Sequence, residues 1–149
     1  MEIEALNIFS NKIIGAAIEV HKTLGGPGLL ESVYEEALAW EMQDRGLLVQ
    51  RQVNVPLHYK KRRLAHSLRL DLLVEKQIIV EVKATATYHP IYEAQLLTYL
   101  KLMNLRLGLV INFGQETVKE GIERVINGYD DLPKTTKSQT PKSRLKRAP

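Results

Sequence analysis

The sequence predicts a mixed α/β domain, with helices flanking both faces of a mixed sheet in a three-layer α/β/α arrangement. Three observations carry this. Apolar residues recur at helical spacing near both the start and the middle of the chain. Between and after those segments, "LRLDLLV", "IIVEVKA" and "RLGLVINF" form nearly continuous apolar runs, as expected of strands covered on both faces. At 149 residues, 44% of them hydrophobic, the chain is long enough for one sizeable core. A single domain over residues 1–133 is expected.

The elements follow in order. Over residues 3 to 22, Ile14, Ala17, Ile18 and His21 fall at i, i+3, i+4 and i+7, which predicts a helix. "GGPG" (25–28) breaks it. This glycine run has no GK[ST] and no preceding strand, so it reads as a helix connection rather than a phosphate cradle. A second helix should run from about Leu29 to Arg45, with Gly46 as its terminating glycine. "VQRQVNVPLHYK" alternates and contains Pro56, which predicts a half-exposed or edge strand. "KKRR" is the turn, and a second strand follows from about Leu64 to Val74. After "EKQ", "IIVEVKA" is a third strand. Pro90 opens a third helix, "IYEAQLLTYLKLMN", a position that suits proline. "RLGLVINF" is a fourth strand, and "ETVKEGIERVING" should be a short final helix. The β-β-β segment is antiparallel and the third helix is a crossover.

The net charge of +4 is concentrated in one segment. Residues 134–149, "KTTKSQTPKSRLKRAP", hold six basic residues and no acid, and the composition predicts a disordered tail. Without them 15 basic and 17 acidic residues remain, a body of −2. A second basic region runs from Arg45 to Arg69, with Arg51, Lys60, Lys61, Arg62 and Arg63 between, no acid, and Tyr59 alongside. Such a patch attracts a phosphate backbone, and it is equally the composition of a plain solvated hairpin. The absence of cysteine excludes disulfides and thiolate metal sites and suits the reducing cytoplasm. No apolar run approaches the ~20 residues that span a membrane. Glu19 interrupts "IIGAAIEV", so no signal peptide is expected.

Three charges interrupt the most apolar strands. With Glu75-Lys76-Gln77 as a three-residue loop, Val74 faces Ile78 and Asp71 faces Glu81, their Cβ atoms ~5 Å apart. Lys83, two residues on, shares the face of Glu81. A two-residue loop would instead set Asp71 opposite Val80 and scatter the group. Two close carboxylates repel, and burial penalises both charges. A divalent cation relieves this, and Mg²⁺ typically takes one or two carboxylates, waters and substrate phosphates. A buried Asp–Lys–Glu ion-pair network satisfies the same spacing. Elsewhere, Gln95 shares a helical stripe with Ile91, Thr98 and Leu102, with Tyr99 at i+4. Glu31 shares one with Tyr34 and Leu38, and His21 completes the apolar stripe of the first helix. Each is compatible with an ordinary hydrogen-bonded or helix-end residue, Glu31 through the helix dipole.

Taken together these residues resemble a family. "GLLESVY" (28–34) matches the GxxExxY signature. "EVHKTLGGPGLLESVYEEAL", "DLLVEKQIIVEVKA", "EAQLLTYLK" and "GLVINFG" are similar to the blocks of the GxxExxY proteins, in their order. That family is placed in the PD-(D/E)XK nuclease superfamily, whose core is α-β-β-β-α-β. The resemblance covers roughly residues 5 to 127 and implies roles residue by residue. Asp71 matches the metal-binding Asp. Glu81 and Lys83 match the (D/E)XK element, with the carbonyl of Val82 as a further ligand. Glu31 looks like the acidic residue supplied from the helix before the sheet. "QLLTY" (95–99) is similar to the QxxxY motif of exonuclease domains in recombination helicase–nucleases, where the Gln organises the site and Tyr99 accompanies it. Tyr34 is the signature tyrosine, and His21 corresponds to a metal-contacting His on an early helix. Leu70 departs from the pattern, standing where the superfamily name has Pro.

The resemblance implies a Mg²⁺-dependent nuclease, with Mn²⁺ as substitute, cutting phosphodiester bonds in DNA. Asp71, Glu81 and Glu31 would hold the metal, Lys83 would orient the attacking water, and Gln95 would position groups around it. Arg51, Lys60, Lys61, Arg62, Arg63 and Arg69 would grip the backbone without reading bases. A homodimer is compatible with the superfamily's habits. A non-catalytic module holding nucleic acid or protein on the same fold is the alternative.

Overall fold

The structure is a computed structural model that describes residues 2–128. The predicted tail at 134–149 and the expected domain end at residue 133 lie outside the described residues. Two helices open the chain, α1 (Ile3–Leu24) and α2 (Glu31–Asp44). Three strands follow, β1 (Val49–Tyr59), β2 (Arg62–Val74) and β3 (Ile78–Lys83), then α3 (Ile91–Met103) and β4 (Leu107–Asn112). A 3₁₀ turn at Val118–Gly121 leads into β5 (Ile122–Ile126). The five strands lie in sequence order. Only β3 and β4 are parallel, joined by α3, and the other pairs are antiparallel.

The sheet is covered on both faces, as the unbroken apolar runs required. On one face α1 and α2 bury Leu6, Ile13, Ala17, Tyr34 and Leu38 against Leu72, Val74, Ile78, Val80 and Leu109. On the other, α3 buries Leu96 and Leu100 against Ile79, Val110 and Val125. Each fully buried Leu or Ile contributes about 1.5–3 kcal/mol of transfer free energy. Gly46 follows α2 at φ 87°, a conformation that costs L side chains, and so stops the helix where the sequence indicated. The β1–β2 turn is Lys60–Lys61, so β2 starts at Arg62, two residues earlier than expected.

Three expectations are corrected. The final helix is instead the 3₁₀ turn and β5. Val118, Ile122, Val125 and Ile126 fit a helical period, but β-branched residues also favour a strand, and β5 buries Glu123 and Val125 while its other positions stay half-buried. Gly121 allows that strand to close on the sheet, because a Cβ there would lie 2.1 Å from the carbonyl oxygen of Asn112. In α1 the buried stripe runs through Leu6, Ile13, Ala16, Ala17 and Val20, and Ile18 is exposed. In α3 the stripe of Ile91, Gln95, Thr98 and Leu102 faces outward, and Glu93, Leu96 and Leu100 turn inward. The inward stripe brings two leucines to the sheet.

Candidate metal and catalytic site

The β2–β3 ladder pairs Val74 with Ile78, Leu73 with Ile79 and Leu72 with Val80, and goes no further. This is the register of a three-residue loop, so Asp71 and Glu81 are the next pair in line. Their side chains take the place of the missing rungs. The amide of Asp71 donates to Glu81 Oε2 at 3.1 Å, and the amide of Val82 donates to Asp71 Oδ2 at 2.9 Å. The Val82 amide therefore points toward β2, and its carbonyl leaves the strand on the same side.

Glu81 is 7% exposed. Burial, and after it the charge of Asp71, push its carboxyl up to about 8. Lys83 opposes this, but its ammonium also lies over the Tyr92 ring, 4.6 Å from the centroid, in a cation–π contact. Tyr92 was not anticipated; it lies one helical turn before Gln95. Tyr99, one turn after Gln95, is raised by burial and then by the charges of Glu81 and Asp71, which places its phenol within their field. Gln95 itself is exposed, on the helix between Tyr92, which lies against the Lys83 ammonium, and Tyr99.

Glu31 opens α2, and burial raises its carboxyl. Lys83 lowers it and Asp71 raises it, while the Ala84 backbone donates to it, so the first turn of α2 lies over the end of β3. Tyr34 fixes the approach. Its hydroxyl donates to the Gly26 carbonyl at 2.7 Å and accepts from the Leu29 amide at 3.2 Å, and its ring stacks on Phe113 at 4.6 Å. The "GGPG" run is thus pinned as a helix connection.

His21 lies in the last turn of α1. Its Nε2 lies 3.1 Å from the Gln115 carbonyl and its ring stacks with Phe113, and among the described residues no contact joins it to Asp71 or Glu81. Of the basic residues, Lys60, Lys61, Arg62 and Arg63 cluster at the exposed hairpin tip, with the Lys60 ammonium over the Tyr59 ring. Arg69 is exposed nearer the sheet. Arg51 turns to Glu35, its Nε 3.4 Å from Oε2.

Glu35 and Gln52 were missed. Glu35 stands one turn after Glu31, a spacing visible in the sequence, whereas Gln52 joins it through a backbone conformation that no sequence signal announces. Asn112 was also missed. It is fully buried, accepts from the amides of Thr85 and Gly114 at 3.0 and 2.9 Å, and donates to the Thr85 carbonyl at 3.0 Å, which holds the chain just past Lys83.

The residues fit a hard divalent cation. The nearby donors are carboxylate and carbonyl oxygens, the ligands of Mg²⁺ and Mn²⁺. Burial first, and the charge of Asp71 second, make an unmetallated Glu81 carboxylate costly, a cost that a bound cation would relieve. Among the described residues no three His, Cys, Asp or Glu side chains form a ready-made cage. A Mg²⁺ site needs only one or two carboxylates, with water and substrate phosphate completing it.

Comparison with known proteins places this geometry in context. A family profile described as PD-(D/E)XK nuclease superfamily matches residues 7–125. A solved structure titled "Crystal structure of SSO0001" superposes with a TM-score of 0.51 at 13% identity, covering 77% of this chain and 57% of that one. The chain spans little more than half the length of that protein, and the likeness concerns the fold. The curated proteins gave no match. Among the described residues, no helix is long and apolar enough to cross a membrane.

Proposed function

Since the chain belongs to the PD-(D/E)XK nuclease superfamily, we propose that it is a metal-dependent nuclease acting on DNA, and that "GLLESVY" marks it as a GxxExxY protein. The single observation that carries the reading is the pairing of Asp71 with Glu81 at the open end of the β2–β3 ladder, with Lys83 two residues along the same strand.

Asp71, Glu81 and the Val82 carbonyl would hold Mg²⁺ or Mn²⁺, with Glu31 contributing from α2. The bound ion supplies Lewis-acid stabilisation of charge on the phosphate oxygens. Lys83 orients the attacking water and stabilises the charge that develops on the phosphate. Its contact with Tyr92 limits the directions the ammonium can take. Gln95, on the outward side of α3, contacts the substrate strand or the water around it. The basic hairpin tip and Arg69 bind the sugar–phosphate backbone, and Arg51 supports Glu35.

The test is cleavage of end-labelled DNA and RNA, single- and double-stranded, with Mg²⁺ or Mn²⁺ and with EDTA. The reading expects metal-dependent cleavage of at least one DNA form, abolished by Lys83→Ala. Binding without cleavage in every form, with Lys83→Ala indistinguishable from wild type, would establish the non-catalytic module instead.

A further inference from the structure

Gln52 adopts a conformation foreign to a strand. Its φ is 51°, in the left-handed region, in the middle of β1. A non-glycine residue held there costs on the order of 1–3 kcal/mol, so the surroundings must impose it. A tertiary contact accompanies it. Gln52 Nε2 donates to both oxygens of Glu35, at 2.8 and 3.0 Å, while the Nε of neighbouring Arg51 lies 3.4 Å from Oε2. Consecutive side chains of a regular strand point to opposite faces. Arg51 and Gln52 meet one acceptor because the left-handed residue breaks that alternation.

The break runs across the hairpin. On the side away from the Lys60–Lys61 turn, Val49 on β1 and Leu72 and Val74 on β2 pack into the core under α1 and α2. On the other side, Val53, Val55 and Leu70 pack into the core under α3, although they have the same parity along their strands. The joint lies between the pairs Arg51–Leu72 and Val53–Leu70, where Gln52 stands opposite Asp71. Glu35, 7% exposed, follows Glu31 by one turn of α2. One side-chain amide therefore ties the helical turn behind Glu31 to the strand position beside Asp71.

We propose that Gln52 and Glu35 form a positioning clamp for the carboxylate site, holding Asp71 and Glu31 in register with one another and keeping the Glu35 carboxylate turned away from the ion. The clamp rests on the metal-dependent reading above. Groups that orient metal ligands typically account for 10–100-fold in metal affinity.

The test measures Mn²⁺ affinity by water-proton relaxation for wild type, Gln52→Gly, Gln52→Asn and the Asp71→Asn/Glu81→Gln reference, with melting curves alongside. Glycine and asparagine both accept the left-handed backbone, and neither can span to Glu35. The proposal expects both variants to fold and to bind Mn²⁺ about 10–100-fold more weakly than wild type. Folded variants that bind within twofold of wild type would overturn it, leaving the clamp a purely structural contact. A wild type that binds no more Mn²⁺ than the reference would overturn the metal reading itself, and the clamp with it.

Discussion

The amide of Asp71 donates to the carboxylate of Glu81 at 3.1 Å, so the two residues are joined by a side chain where a strand ladder would use backbone. Two acids thus serve as the last rung of a hairpin and are left facing its open end. The Asp71 carboxylate is anchored in turn on the Val82 amide at 2.9 Å. The backbone donors steady both groups, and the nearby Lys83 ammonium favours the ionised form of both Glu81 and Glu31.

Replacing Lys83 by Ala should lower cleavage by on the order of 10²–10⁴-fold. Metal binding and the melting temperature should change little, because the side chain is half-buried over Tyr92 rather than in the core. Single-turnover cleavage together with a melting curve checks this.

Metal affinity should rise with pH. The Glu81 carboxyl sits at about 8, so near neutrality an ion must displace a proton to bind it. The Mn²⁺ dissociation constant should fall up to ~10-fold per pH unit below 8 and level off above. Titrations in buffers of different ionisation enthalpy should show up to one proton released per ion at pH 7.

The metal-free protein should lose stability over the same range. The Glu81 carboxyl is raised from 4.5 to about 8 in the fold, so the folded state binds more protons than the unfolded chain between those values. Stability due to this group is therefore present below 4.5 and declines as pH rises toward 8. Glu81→Gln keeps an acceptor for the Asp71 amide and cannot ionise. Its melting temperature should match wild type near pH 4.5 and exceed it at pH 8 by on the order of 10 °C.

At the hairpin tip, replacing Lys60, Lys61, Arg62 and Arg63 together by Ala should weaken nucleic-acid binding and leave the fold intact, since all four are exposed. The slope of log affinity against log salt should shrink by up to ~3–4, about 0.9 for each duplex-DNA phosphate that is no longer neutralised.

Tyr34→Phe should destabilise by about 1–3 kcal/mol, because the Gly26 carbonyl and Leu29 amide lose their shared partner. Equilibrium denaturation measures it.

Much of this was legible in the residues. The apolar runs of β3 and β4 announced a doubly covered sheet, and the spacing of Val74 and Ile78 around three turn residues located the Asp71–Glu81 pair. What escaped has physical reasons. Val118, Ile122, Val125 and Ile126 fit a helical period although β-branched residues also favour a strand, and Gly121 lets that strand close on Asn112. Gln95 had the spacing of an inward stripe, yet Leu96 and Leu100 won the sheet face. Gln52 belongs to an ordinary alternating segment, and its left-handed backbone arises from a tertiary contact with Glu35 that local sequence does not encode.

Calorimetric titration of Mn²⁺ at pH 8 decides whether Asp71 and Glu81 form a divalent-cation site. Saturable binding to wild type, lost in Asp71→Asn/Glu81→Gln while the double variant remains folded, is the expected result. Equal heats from the two proteins, with and without DNA present, would contradict it.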